Sequence, residues 1–302
     1  MNLMRHRDAQ RSATHTMATI VTKPALDEIL RAVDRLPPFP KVVTRVIPLL
    51  RAMAPVAEIE AVIRYDQAIT ARVLSIARSP FYARRYKIRS LRDAIIVLGQ
   101  RQLVEIILMA CSAHYFRGQL RSYDLREGEL WAHSVAVALL SQIIAEDLQR
   151  QRVLTIYTAG LLHDIGKTVL DRQVPDYFDT IYLLAKERRV TFLEAEREVI
   201  GINHQDLGAL IAHRWNFPPE VQTGIRFHHN PADAKHHQDV AAILYAANRL
   251  VHSIGIGVSA ADFLQPNADA ILEKLGITQE RIDGYLIKII EAMEDARSFL
   301  TI

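Results

Sequence analysis

The chain of 302 residues has a single cysteine, Cys111, so no intrachain disulfide can staple it. Its apolar neighbours predict a buried thiol, and a protein without disulfides suits a reducing cytoplasm. Net charge is also scarce. Lys and Arg number 37 against 34 Asp and Glu, and the resulting +3 is too small to argue for nucleic acid. No uninterrupted apolar run of about 18 residues is found, so no membrane-spanning helix is expected. The first sixteen residues lack the apolar core of a signal peptide and read as a polar tail, with Met17 as a second candidate start. Period-two alternation is almost absent, which removes the main signal for strands. No internal repeat or low-complexity tract stands out. Half the residues are hydrophobic and 24% are charged, an ordinary balance for a soluble globular protein. The length suits one large domain or two small ones.

What is present is helical periodicity, and the expected fold class is all-α, with two packed helical subdomains. Leu36-Pro-Pro-Phe-Pro40 enforces an extended entry, after which Val42, Val43, Val46, Leu49 and Leu50 share one helical face. Helices are expected over 57–65, 69–77 and 91–111, the last N-capped by Ser90 and broken near Gly99. The stretch 117–129 is polar, contains Gly118 and Gly128, and reads as a link. Beyond it, helices are expected near 127–148, 153–163, 191–201, 204–215, 219–229, 239–254, 268–275 and 279–299. The organisation is therefore a tail (1–27), a first helical half (28–120), a second half (121–258) and a C-terminal extension (259–302).

The chemistry concentrates at His163-Asp164, which ends the apolar run Tyr157-Thr-Ala-Gly-Leu-Leu. A helix apolar on nearly every side is buried, so this pair places an imidazole and a carboxylate at the edge of a core. A helix-end hydrogen bond would satisfy one of them, whereas a divalent metal satisfies both. Further candidate ligands flank the pair: Glu129 and His133 before it, His204 and the doublet His228-His229 after it. Glu129 and His133 are four residues apart and share a helix face, as metal ligands or as a surface pair. Imidazole and carboxylate donors without thiolate point to iron, manganese or zinc, as one or two ions. Lys167 follows Asp164 by three residues, placed either to hold a phosphate oxygen or to end a helix in solvent. Asn248 is the polar residue expected to point inward among Ile243, Leu244, Ala247 and Val251. His213, His236 and His237 read as surface residues, and the basic run 84–92 reads as a solvated connection rather than a nucleic-acid patch.

Taken together, Leu36-Pro-Pro-Phe-Pro40, Val62 to Leu74, Ala94 to Gly99, Leu130-Trp-Ala-His-Ser134, Ala159 to Lys167 and Gly208 to Pro218 resemble the HDOD family. These are relatives of the HD phosphohydrolases found in bacterial signalling proteins. The resemblance covers roughly residues 30–250, with Arg78 where the family usually has Asn. It implies metal-ligand roles for Glu129, His133, His163, Asp164, His204, His228 and His229, with Lys167 near a phosphate if the protein is catalytic. Two departures stand out. Asn248 occupies the place of an aspartate in the cyclic-dinucleotide hydrolases of the superfamily, and Asn230-Pro-Ala-Asp-Ala-Lys235 replaces their Gly-Tyr-Pro element. Little or no cyclic-dinucleotide hydrolysis is therefore expected. The resemblance implies a cytoplasmic regulator that binds signalling proteins, with a nucleotide or phosphate as a second class of ligand and no membrane partner. The alternative is a metal-dependent phosphohydrolase acting on a nucleotide or another phosphoester.

Overall fold

Helical periods in the sequence become helices in the computed structural model, which describes residues 24–78, 87–116, 118–257 and 269–296. No strand forms among the described residues, and the fold is all-α as expected. Residues 1–23 of the tail, 84–86 of the basic run, and 259–268 and 297–302 of the C-terminal extension lie outside the described residues. An unanticipated first helix, α1 (Pro24–Arg35), opens on a proline whose missing N–H costs a helix start nothing. It buries Ile29 and Val33.

Pro37 to Pro40 then cross the surface in extended conformation to α2 (Lys41–Arg51), α3 (Val56–Ile63) and α4 (Gln67–Ala77). Asp66 caps α4 by accepting from the Ile69 amide at 3.0 Å. Ser90 and Asp93 form a reciprocal capping box at the start of α5 (Leu91–Ser112). Gly99 breaks α5 with a φ of 72°, as the sequence suggested. Together with the turn that follows, α5 reaches the length and apolarity of a membrane span, which sequence reading did not anticipate. Over that apolar stretch 56% of the residues are buried inside the fold, packed against α4 and α2.

The link between the halves is more ordered than its polarity suggested. Leu120 and Leu125 bond each other's backbones, and both are buried with Tyr123. The second half comprises α6 (Glu129–Asp147), α7 (Val153–Leu162), α8 (Ile165–Gln173), α9 (Phe178–Arg188), α10 (Phe192–Ile200), α11 (His204–Arg214), α12 (Pro219–Phe227) and α13 (Gln238–Ser253). The extension adds α14 (Asp269–Lys274) and α15 (Gln279–Asp295). Helix α6 is apolar on every side and lies at the centre, packed on α7, α13 and α15. The halves meet at Phe39, whose ring sits 5.2 Å from Trp215 and 5.1 Å from Phe217. Trp215 Nε1 donates to the Pro37 carbonyl at 3.2 Å and Tyr115 Oη to the Pro38 carbonyl at 3.1 Å. Prolines supply these acceptors because their carbonyls have no helix or sheet to join.

Candidate metal centre

Helix α7 ends at Leu162 and α8 begins at Ile165, so His163 and Asp164 occupy the corner between two buried helices. The corner closes because residue 166 is glycine: a Cβ there would lie 2.0 Å from the His204 carbonyl oxygen. That contact seats α11 against α8 and carries His204 to the pair. Helix α12 ends at Phe227, and the His228-His229 doublet that follows it reaches the same place. Helix α6 contributes His133 from the opposite side.

Around Asp164, the donor atoms of His204, His228 and His229 form one group, and those of His133 and His163 form a second. Asp164 belongs to both. Its Oδ1 lies 3.6 Å from His204 Nε2 and 3.6 Å from His228 Nε2. Its Oδ2 lies 3.3 Å from His163 Nε2, 3.9 Å from His133 Nε2 and 2.7 Å from Lys167 Nζ. His204 and His229 face each other with Nε2 atoms 3.2 Å apart. Each ring is fixed from behind. His163 Nδ1 donates to the Gly160 carbonyl at 2.7 Å, His228 Nδ1 to Ile225 at 2.7 Å and His133 Nδ1 to Ile256 at 3.0 Å. A carbonyl only accepts, so each Nδ1 carries the proton and each Nε2 turns a lone pair inward.

Burial drives His133 and His229 well below the ordinary histidine value, and the surrounding histidines reinforce the effect. Burial likewise pushes His228 down to about 3. These three rings are neutral at physiological pH, the form that ligates metals. Burial opposes the charge on Asp164, but His163 and Lys167 prevail and hold its carboxyl well below the usual carboxylate range. Inside the cluster, His133 Nε2, His163 Nε2, His228 Nε2 and Asp164 Oδ1 are buried and make no hydrogen bond with any described residue. Orphaned lone pairs converging in a core are costly, and a divalent cation is the group that satisfies all of them. The residues present therefore fit a metal.

Sequence reasoning placed six of its seven ligand candidates together. The seventh, Glu129, stands apart from both groups and uses its carboxylate to accept from the Arg126 amide at 2.7 Å, fastening the start of α6. Lys167 is buried, donates to Asp164 and lies 5.5 Å from the centroid of the Tyr123 ring, so the solvated helix end is excluded. Asn248 is buried, and its Oδ1 accepts no hydrogen bond from a described residue. One turn later on α13, His252 stacks on His133 with ring centroids 4.6 Å apart, so this face of α13 turns toward the centre. His213 is exposed, as expected.

Two supporting residues escaped the sequence reading. Glu196, fully buried on α10, takes both His204 Nδ1 (2.8 Å) and the His204 amide (3.0 Å) on one oxygen. Its other oxygen accepts from Tyr123 Oη at 2.6 Å. The signal was available, since Glu196 shares the apolar face of α10 with Phe192, Val199 and Ile200. An acidic residue on such a face needs a buried partner.

A solved HDOD domain protein of unknown function from Geobacter sulfurreducens matches with a TM-score of 0.72 and 28% identity, over 92% of this chain and 97% of that one. A protein from Marinobacter aquaeolei VT8, provisionally named a signal transduction protein, shares the fold with a TM-score of 0.71 at 23% identity, over 91% of this chain and 65% of that one. By sequence, an uncharacterised protein of Treponema pallidum (strain Nichols) is 24% identical over 202 residues, 65% of this chain but 39% of that protein. The chain thus spans well under half the length of the curated relatives it matches. The family model of the HDOD domain matches residues 36–231, and the chain belongs to that family.

Proposed function

We propose that this HDOD protein is a cytoplasmic regulator that acts by binding signalling proteins, with its metal centre serving as a structural or ligand-sensing element. The observation that carries this reading is the burial of the donors. His163 and His228 expose none of their surface and Asp164 exposes 1%. A metal ion fits such a place, whereas a phosphoester needs an open path to the metal. The ligands would be Asp164, His204, His228 and His229 on one side and His133, His163 and Asp164 on the other. Nitrogen and oxygen donors favour iron, manganese or zinc. Nucleic acid and membrane play no part in this reading.

A metal-dependent phosphohydrolase is the second reading, and the buried Lys167 beside the donors favours it. A bound metal would supply Lewis acidity, and the Lys167 ammonium would hold a phosphate oxygen. Protein purified without chelator should carry iron, manganese or zinc by elemental analysis and should turn over no member of a nucleotide and phosphoester panel. Turnover that disappears in Asp164→Ala would replace the regulatory reading with the enzymatic one.

A further inference from the structure

Two exposed faces take no part in the metal centre, and their charges are opposite. From Gln67 to Arg92 the sequence holds seven Lys and Arg and no carboxylate. The described part of this stretch leads into α5, where Lys87, Arg89 and Arg92 are all exposed. The next carboxylate, Asp93, is committed to the helix start, accepting from the Arg89 amide at 2.9 Å and the Ser90 amide at 3.1 Å. Lys87 and Arg92 form no ion pair with any described residue. Arg92 and Ile96 are four residues apart and share the outer face of α5, with Ile96 61% exposed. One exposed isoleucine is ordinary by itself. This one has a counterpart.

The counterpart is α15. Its Tyr285 and Ile289 are buried, which turns the opposite side of the helix outward. At about 100° per residue, that side carries Glu280, Asp283, Ile287, Ile290, Glu291 and Glu294. All six are exposed, Ile287 by 60% and Ile290 by 53%. Four carboxylates thus surround two isoleucines, and the cations of the helix, Arg281 and Lys288, lie to one side. A methyl built on Gly284, at the edge of this face, meets nothing within 4 Å, so no described residue covers it. Two α15 faces cannot cover each other, because carboxylates would meet carboxylates. Within one copy the α5 and α15 faces do not meet either, since both are exposed.

We propose that the chain associates head to tail, the outer face of α15 in one copy docking on the Lys87–Ile96 face of the next. Ile96 seats between Ile287 and Ile290, and Arg89 and Arg92 meet the surrounding carboxylates. Because the two faces differ, the contact is heterologous, and copies add in series or close into a ring. The charges steer the encounter and set the pairing, while the isoleucines supply apolar burial. One helix face on another is a small contact, so association is reversible and rises with concentration. No residue of the metal centre takes part, and neither the regulatory nor the enzymatic reading enters.

Sedimentation equilibrium of the full chain over a range of concentrations reads the association. The mean mass should climb above that of one copy and fall back in high salt. Arg92→Glu and Glu294→Arg should each weaken association about ten-fold, as attraction becomes repulsion. Both positions are exposed. Each new charge also suits its place, an acid in the first turn of α5 and a base in the last turn of α15. Melting temperature and metal content should therefore be unchanged. An equimolar mixture of the two variants is the sharpest sample. The acidic face of the Arg92→Glu copy meets the intact cationic face of the Glu294→Arg copy, and the two reversed faces also match, so association should return. The mass of one copy at every concentration, association untouched by either variant, or a mixture that stays monomeric would overturn the proposal. A monomer that binds polyglutamate through Arg92 would also overturn it, and would assign the cationic face to a foreign acidic partner.

Discussion

The two donor groups around Asp164 share a carboxylate yet are built differently. One gathers Asp164 with three imidazoles, and its His204 is backed by the carboxylate of Glu196. The other offers Asp164 with two imidazoles, both backed by backbone carbonyls, and its His133 stacks on His252, one turn beyond the buried Asn248 on α13. An anionic partner behind an imidazole raises its basicity, while a neutral carbonyl mainly sets its orientation. Affinity should therefore be unequal, with the four-donor side holding its ion more tightly. A neutral amide on the face of α13 that carries His252 also brings no negative charge to stabilise a second cation.

The most damaging test of this comparison is Gly166→Ala. The added methyl would lie 2.0 Å from the backbone oxygen of His204, with the Gly208 amide at 2.9 Å, so α8 and α11 must part. Loss of both donor groups and of about 4 kcal/mol or more of stability is expected. Thermal melts and elemental analysis report it, and a variant that melts normally with full metal content would show that the corner tolerates separation.

Asp164→Ala should empty both sides at once because they share that residue. It also deprives the buried Lys167 of the carboxylate 2.7 Å away, an effect of about 3–5 kcal/mol. Retention of one tightly held ion would mean that the groups are independent.

Glu196→Gln separates the sides. Metal affinity of the four-donor group should fall about 10–100-fold, while the weaker group is unchanged. Competition titration against a chelator of known affinity reads both steps. An equal loss at both would show that Glu196 supports the fold rather than His204.

The pH response is a gentler probe. His133, His228 and His229 have folded-state values depressed below the unfolded value of about 6.5. The unfolded chain thus binds more protons below that pH. Stability from these rings is fully present above pH ~6.5 and is lost as pH falls toward the His228 value of about 3. Denaturant midpoints of chelator-treated protein should decline steadily across that window. A flat response would mean that water reaches the rings.

The smallest expected effect is that of Asn248→Asp, which should raise metal stoichiometry toward two ions by restoring charge on the α13 side. Unchanged stoichiometry would show Asn248 to be a packing residue.

Much of this centre was legible in the sequence because costly residues stood where apolar ones were expected. His163-Asp164 at the end of a buried run and His228-His229 before Asn230-Pro231 were visible for that reason. For Glu129, an i, i+4 spacing shows a face shared with His133 but not where that face points; its carboxylate accepts from the Arg126 amide ahead of the helix. Glu196 was missed because one acid in a charged helix looks solvated until the partner of that face is known. Helices α8 and α9 were missed for a different reason. The first is nine residues with a glycine in its opening turn, and the second buries only Ile181 and Ala185, so neither has a long apolar stripe. Helix α1 was missed because its short pattern precedes the proline segment that dominates the region.

The proline segment has a consequence for how the molecule comes apart. Pro37 accepts from Trp215, 178 positions along the chain, and from Tyr115, 78 positions along. Contacts that close such long loops are formed late in folding, because chain entropy must be overcome before they return any stabilisation. Once made, the Trp215 contact ties the first helical half to the second, and the Tyr115 contact fixes within the first half the same short, stiff stretch, which has no amide hydrogens of its own at the prolines. The halves are then poor candidates for independent unfolding, and the chain should melt in one transition despite its two-part architecture.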